Sequence, residues 1–154
     1  MARSFDYLGR RLAFAHKAMR AEFEARLVEA GGTFTTWVVL RSAHSESRLS
    51  QRELAESLGV EGPTLVRHLD RLEAEGLIER RRDAGDRRIT RIEVTPRGVA
   101  LLDRLVAVAE GAEAELRHLL GRDEHRRMRK SLQIMHDYYS SLAEERKADA
   151  DRHR

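Results

Sequence analysis

No cysteine occurs in the 154 residues, which excludes disulfides, thiolate metal sites and cysteine redox sensing. Aromatic residues are scarce at 5%, tryptophan occurs once, and 36% of the chain is charged; that combination suits a helix-rich protein covered in Arg and Glu. No apolar run approaches the roughly 18 residues a membrane span needs, and no secretion signal opens the chain. A soluble protein, cytoplasmic by default and without a membrane partner, is the expectation. The seven histidines, at 16, 44, 68, 118, 125, 136 and 153, form no HExxH, and there is neither a Gly-rich phosphate loop nor a nucleophile elbow. An enzyme is therefore not expected, nor a cofactor or a metal site. His118 and His125 are seven residues apart and could share one helix face only if the helix ran unbroken through Gly121.

What the sequence does have is concentrated between Val60 and Val94. Pro63 stands in the first turn of a short helix, where its missing N–H costs nothing. Leu65, Val66, Leu69 and Leu72 form a candidate buried stripe, and Gly76 marks the stop. Leu77 and Ile78 begin a strand, and Ile89, Ile92 and Val94 lie on its partner. Between them is a polar loop, Asp83-Ala84-Gly85-Asp86, flanked by Arg80-Arg81-Arg82 and Arg87-Arg88. Residues 77–92 hold six Arg against three acids, a local +3 that equals the net charge of the whole chain. A short helix followed by a basic two-stranded hairpin is the layout of a winged helix, and the focused charge is a footprint for a phosphate backbone. An Arg-rich hairpin edge that resists aggregation is the plainer alternative.

At this length one domain with its own core is expected. Residues 4–30 read as one amphipathic helix, with Phe5, Leu8, Leu12, Ala15, Met19, Phe23 and Leu27 at spacings of three and four, ended by Gly31-Gly32. A helix of that length needs a partner surface. Thr33 to Thr36 opens a second helix running to about Ala43; Trp37 in its first turn is either a core anchor or the lining of a small-molecule cavity. Ser50-Gln51-Arg52-Glu53 is a capping box that starts a third helix, with Leu54, Ala55 and Leu58 facing inward and Gly59 closing it. Two short helices joined by a Gly-containing turn form a helix-turn-helix. Thr95 caps a further helix with Pro96 at its first position; its stripe is Val99, Leu102, Leu105, Val106, Ala109 and Leu116, running to Leu120. After Gly121, Met128, Leu132, Met135, Tyr139 and Leu142 mark a last helix, and residues 144–154 read as a charged, fraying tail.

These pieces together resemble the MarR family of bacterial transcription regulators, most closely its SlyA-like branch. The matching residues are Thr35-Thr36-Trp37-Val38, Leu54-Ala55, Pro63-Thr64-Leu65-Val66-Arg67, Leu69-Asp70, Leu72-Glu73, Gly76-Leu77-Ile78, the wing Asp83-Ala84-Gly85-Asp86-Arg87-Arg88, and Thr95-Pro96. The resemblance covers nearly the whole chain. The Asp-x-x-Asp-Arg-Arg wing after Gly-Leu-Ile is the specific part, and the run Arg80-Arg81-Arg82 is more basic than the family usually shows, which extends the expected wing contacts down the strand.

The resemblance implies a mainly α fold with a small β-hairpin wing. A winged helix-turn-helix at 33–94 would sit between dimerisation helices at 4–30 and 96–143, within a single domain spanning 1–154. It implies an obligate homodimer on a pseudo-palindromic operator in double-stranded DNA, commonly a repressor released by a small aromatic anion. A metal-responsive or ligand-independent winged-helix DNA-binding protein is the alternative. Base contacts are expected from Pro63, Thr64, Arg67, His68 and Arg71 near the start of the fourth helix, since Arg bridges guanine and Thr offers a hydroxyl and a methyl. Arg67 could instead face the cleft. Ser50 and Gln51, at a helix N-terminus, suit phosphate. Of the wing arginines Arg82, Arg87 and Arg88, Arg87 suits the minor groove, with Asp86 positioning the wing. An effector such as an aromatic carboxylate would meet Lys17, Arg20 and Arg67 as cationic positions beside Thr35 and Trp37.

Overall fold

The computed structural model describes residues 7–45, 54–55, 58–82 and 90–152. The elements run α1 (Leu8–Glu29), α2 (Phe34–His44), α3 (Gly62–Ala74), β1 (Ile78–Arg82), β2 (Thr90–Val94), α4 (Pro96–Leu120) and α5 (Arg122–Arg152). A further helical stretch carries Leu54 and Ala55 between α2 and α3. The mainly helical architecture with one antiparallel hairpin is the winged helix-turn-helix expected from the sequence. Two compact units divide the chain, Met1–Glu110 and Gly111–Arg154.

The first unit is organised by leucines. Leu27 of α1, Val39 and Leu40 of α2, Leu54 and Ala55, the α3 stripe Leu65, Leu69 and Leu72, and Leu101, Leu102 and Leu105 of α4 form one buried cluster with Leu77, Ile78 and Ile92. Each fully buried Leu contributes about 2 kcal/mol of transfer free energy. Leu101 belongs to this core although it falls off the stripe expected from the sequence. Val66 does not belong to it: the side chain is 41% exposed, because a residue one step after Leu65 is turned about 100° away from the leucine stripe. In α1 only Leu27 is buried, with Phe23 packed against the core, while Leu8 and Met19 of the same stripe stay exposed and Phe5 lies outside the described residues.

The ends of α3 follow their residues. Gly76 has φ +69, which an L side chain resists, and this lets the Leu77 N–H donate to Leu72 O and the Gly76 N–H to Glu73 O, both at 2.9 Å. The chain then enters β1, whose register pairs Ile78 with Val94, Arg80 with Ile92 and Arg82 with Thr90. Thr95 caps α4 as expected: its hydroxyl accepts from the Gly98 N–H at 3.0 Å and donates to Gly76 O at 2.7 Å. This closure brings the first turn of α4 against the end of α3. A Cβ on Gly98 would stand 2.1 Å from Leu77 O and 2.7 Å from a Val94 methyl. Since backbone and not a flexible side chain must yield, Gly98→Ala is expected to cost about 3 kcal/mol or to abolish folding, read from a chemical denaturation midpoint.

In the second unit Gly121, at φ +76, separates α4 from α5. The break removes the shared helix face that His118 and His125 would need. His125 is instead buried, with Nε2 3.0 Å from a Glu113 carboxylate oxygen, and His118 is exposed. Among the described residues no group of three His, Cys, Asp or Glu could hold a metal ion, and no helix is long and apolar enough to cross a membrane. Helix α5 continues through the charged stretch after residue 144 to Arg152, whose guanidinium pairs with Asp149 at i, i+3.

Candidate nucleic-acid interface

Helix α3 turns its leucines inward and its polar residues outward. Pro63, Thr64, Arg67 and Arg71 are exposed and His68 is half-buried. On a helical projection Pro63 and Arg67 lie opposite Leu65, Leu69 and Leu72, with Thr64 and Arg71 on one shoulder and Val66 and Asp70 on the other. The five residues expected to meet bases thus share the solvent side of one helix, with His68 at its margin. Arg67 makes no ion pair among the described residues. Arg71 is engaged, its Nε donating to Glu75 at 2.7 Å. That pair is exposed, of the kind that contributes a few tenths of a kcal/mol, and a phosphate can displace it.

Two arginines of the basic run on β1, Arg80 and Arg81, are paired with nearby carboxylates. Arg80 donates from Nε to Glu73 at 2.9 Å and from Nη2 to Glu73 at 2.6 Å and to Asp70 at 2.5 Å, while its backbone N–H donates to Glu73 at 3.0 Å. Arg81, on the opposite face of the strand, bonds Glu79 at 2.8 Å and lies 3.3 Å from Glu93. Strand phase explains the split. Ile78 and Arg80 occupy one side of β1 and Glu79 and Arg81 the other. Hydrogen bonds from the Arg80 side chain, then from its backbone, hold the Glu73 carboxyl below its ordinary range, and the same two acids raise Arg80. A carboxyl shifted downward on folding contributes stability above the ordinary carboxylate range and loses it as pH falls through the lowered value. The pair is therefore fully ionised at neutral pH.

A second cluster joins α1 to the start of α2. Phe23 stands edge-on to Trp37 with ring centroids 5.5 Å apart, and Phe34 lies 5.6 Å from Trp37. The Arg20 guanidinium sits over the Phe34 ring at 3.5 Å, with Nε 4.0 Å from Glu24. Glu24 in turn accepts from the Phe34 N–H at 3.2 Å. The Trp37 indole Nε1 is buried and finds no hydrogen-bond partner among the described residues. Of the expected effector residues, Arg20 and Trp37 therefore meet through Phe34, and Thr35 is their half-buried neighbour on α2. Lys17 is exposed one turn before Arg20 on α1, and Arg67 points to solvent on α3, opposite that helix's buried stripe. Glu24 joins the cluster without having been expected there; its signal in the sequence is a carboxylate four residues after Arg20 on the same helix.

Several expected contacts lie outside the described residues: Ser50, Gln51, Arg87 and Arg88, with the wing acids Asp83 and Asp86. The backbone of Arg82 ends β1.

The model of the MarR family matches residues 33–90. Transcriptional regulator PA3341 is similar at 35% identity and a TM-score of 0.76, over 88% of this chain and 99% of that one. The transcriptional repressor CouR bound to a 23-mer DNA duplex is 30% identical with a TM-score of 0.75, over 84% of this chain and 92% of that one. CouR from Rhodococcus jostii RHA1 bound to p-coumaroyl-CoA matches at 27% and 0.73, over 84% and 92%. With the helix-turn-helix and the hairpin's first strand inside the matched stretch, and more than a third of PA3341 shared over nearly its full length, this chain belongs to the MarR family of DNA-binding transcriptional regulators.

Proposed function

We propose that this chain is a cytoplasmic, homodimeric repressor of the SlyA-like branch that reads a pseudo-palindromic operator with two copies of α3 and is released by a small aromatic carboxylate. The observation that carries the DNA reading is the outward face of α3, where Pro63, Thr64, Arg67 and Arg71 stand exposed around a helix N-terminus. Phosphate contacts come from Ser50 and Gln51, and the wing arginines Arg82, Arg87 and Arg88 follow the adjacent backbone and minor groove. Selection of bound duplexes from a random pool tests it: the expected result is a palindromic site with half-site centres about 10 bp apart. Recovery of no consensus, with affinity independent of salt, overturns it.

Support for an aromatic effector comes from the Phe23–Phe34–Trp37 cluster and its adjacent cation Arg20. CouR, similar in fold, is bound to p-coumaroyl-CoA, a ligand that carries an aromatic acyl group. Thr35 and Trp37 line the site, with Lys17, Arg20 and Arg67 as its cations. Binding must favour a conformation in which the recognition helices are wrongly spaced, or DNA affinity would not change. Glu24 already holds Arg20 and the first N–H of α2, so an incoming carboxylate competes with it. Titrated salicylate is expected to change Trp37 fluorescence, and Glu24→Gln to tighten that binding by up to about tenfold, worth about 1.4 kcal/mol. No fluorescence change up to millimolar salicylate in either protein removes the effector reading.

A further inference from the structure

One residue, Arg80, ties the wing strand to the recognition helix by hydrogen-bonded ion pairs. Arg80 follows the buried Ile78 by two residues and lies across from Ile92 in the hairpin register, so its side chain leaves β1 on the face turned toward the core. That side bears on the flank of α3 where Asp70 and Glu73 fall three residues apart. The Arg80 side chain is only 26% exposed, and its guanidinium is divided between the two carboxylates. Glu73 receives three hydrogen bonds from this one residue, two from the fork and one from the main-chain N–H. A main-chain bond and a planar fork acting on the same carboxylate restrict both the separation of strand and helix and the rotation of the strand about its axis. A lysine could keep the charge but not that geometry.

The charges matter as much as the geometry. Asp70 lies on the shoulder of α3 beside Arg67, on the helix expected to face a polyanion. Unpaired, Asp70 and Glu73 would repel the DNA backbone. With Arg80 between them, one of the two negative charges is offset and the cation is used up in doing so.

We propose that Arg80 is a positioning residue for DNA recognition: it clamps β1 onto α3 and offsets part of the negative charge of Asp70 and Glu73, and it does not itself neutralise phosphate. The wing is thereby held in a fixed relation to the helix that reads bases, so that both can engage the same half-site. This proposal rests on the reading of α3 as the base-reading helix, and the two can fail separately.

The experiment measures affinity for the selected operator and for a random duplex across several salt concentrations. It uses the full-length protein, Arg80→Gln, Arg80→Lys and the double variant Asp70→Asn with Glu73→Gln. With the clamp, Arg80→Gln weakens operator binding about tenfold while the slope of log affinity against log salt stays within about half a unit, because the number of neutralised phosphates is unchanged. Arg80→Lys lowers operator affinity with random-duplex affinity unchanged. The double variant is the sharpest arm. It frees Arg80 and makes the protein more positive, yet the clamp predicts a smaller ratio of operator to random affinity. If Arg80 were to neutralise a phosphate, the double variant would bind both duplexes equally or more tightly with the ratio kept, and Arg80→Gln would lower the salt slope by about one per subunit; either result overturns the proposal. Should Arg80→Gln fail to fold, the lysine and double variants decide alone. A wild-type protein that binds neither duplex takes down the DNA reading, and the clamp with it; one that binds DNA normally while the variants behave as phosphate mutants sinks the clamp alone.

Discussion

Deleting residues 1–20 is expected to abolish dimerisation and operator binding together. The first half of α1 contributes little to the core of its own unit: Leu8 is 65% exposed, Phe14 60% and Met19 50%. In the second unit the 31 residues of α5 bury only His125 among those described, while Met128, Leu132 and Tyr139 stay exposed on a stripe with a four- and seven-residue spacing. Single exposed apolar residues are ordinary, but two helices with uncovered stripes are not. A second copy of the chain is the occupant we infer, its terminal helices interlocking with these. A stable dimer needs on the order of 1,200–2,000 Å² of buried surface, which such helices can supply. Because a monomer engages one half-site, operator affinity should fall on the order of a hundredfold or more. Leu27 and Phe23 remain in the truncated chain, so the winged helix keeps its packing against α1. Sedimentation velocity and operator binding check both halves; a truncated protein that remains a dimer and keeps its affinity would refute the assignment.

The recognition helix and the wing should fail in different ways. Arg67→Ala or Thr64→Ala removes a group from the exposed face of α3 and is expected to cost about 1–3 kcal/mol on the operator, relaxing base preference at one symmetric pair of positions. The fold should be unaffected, since neither side chain packs in the core. Arg87→Ala, read from the wing pattern of the sequence, should weaken operator and random DNA more evenly and reduce the salt slope by about one unit for each phosphate that Arg87 neutralises. Competition binding at several salt concentrations separates the two. If Arg87→Ala leaves both slope and affinity untouched, the wing does not meet phosphate. If Arg67→Ala leaves base preference intact, Arg67 serves the cleft beside Lys17 and Arg20 and not the groove.

Local order in this protein is written in short-range chemistry, and the sequence alone determined it. Pro63 and Gly76 bracket α3, Thr95 and Pro96 open α4, and Gly121 divides the last two helices, because caps and left-handed turns depend on neighbours a few residues away. The leucine period of α3 is equally legible, since burial of one helix face repeats every three or four residues. Whether a residue at the edge of that face is covered depends on what packs beside it, so Val66 reads as inward and lies outward, and Leu101 falls off the expected stripe and is buried. The tertiary structure also decided the fate of charge. A run of arginines reads as one basic patch, yet the pleat sends Arg80 inward to Asp70 and Glu73 and Arg81 outward to Glu79 and Glu93. Arg20, which reads as an open anion hook, is stacked on Phe34 and approached by Glu24. Net charge is a sum over residues and survives any fold; which charge is available to a ligand is set by distances of a few ångströms between segments far apart in sequence, and those exist only once the helices and the hairpin have packed.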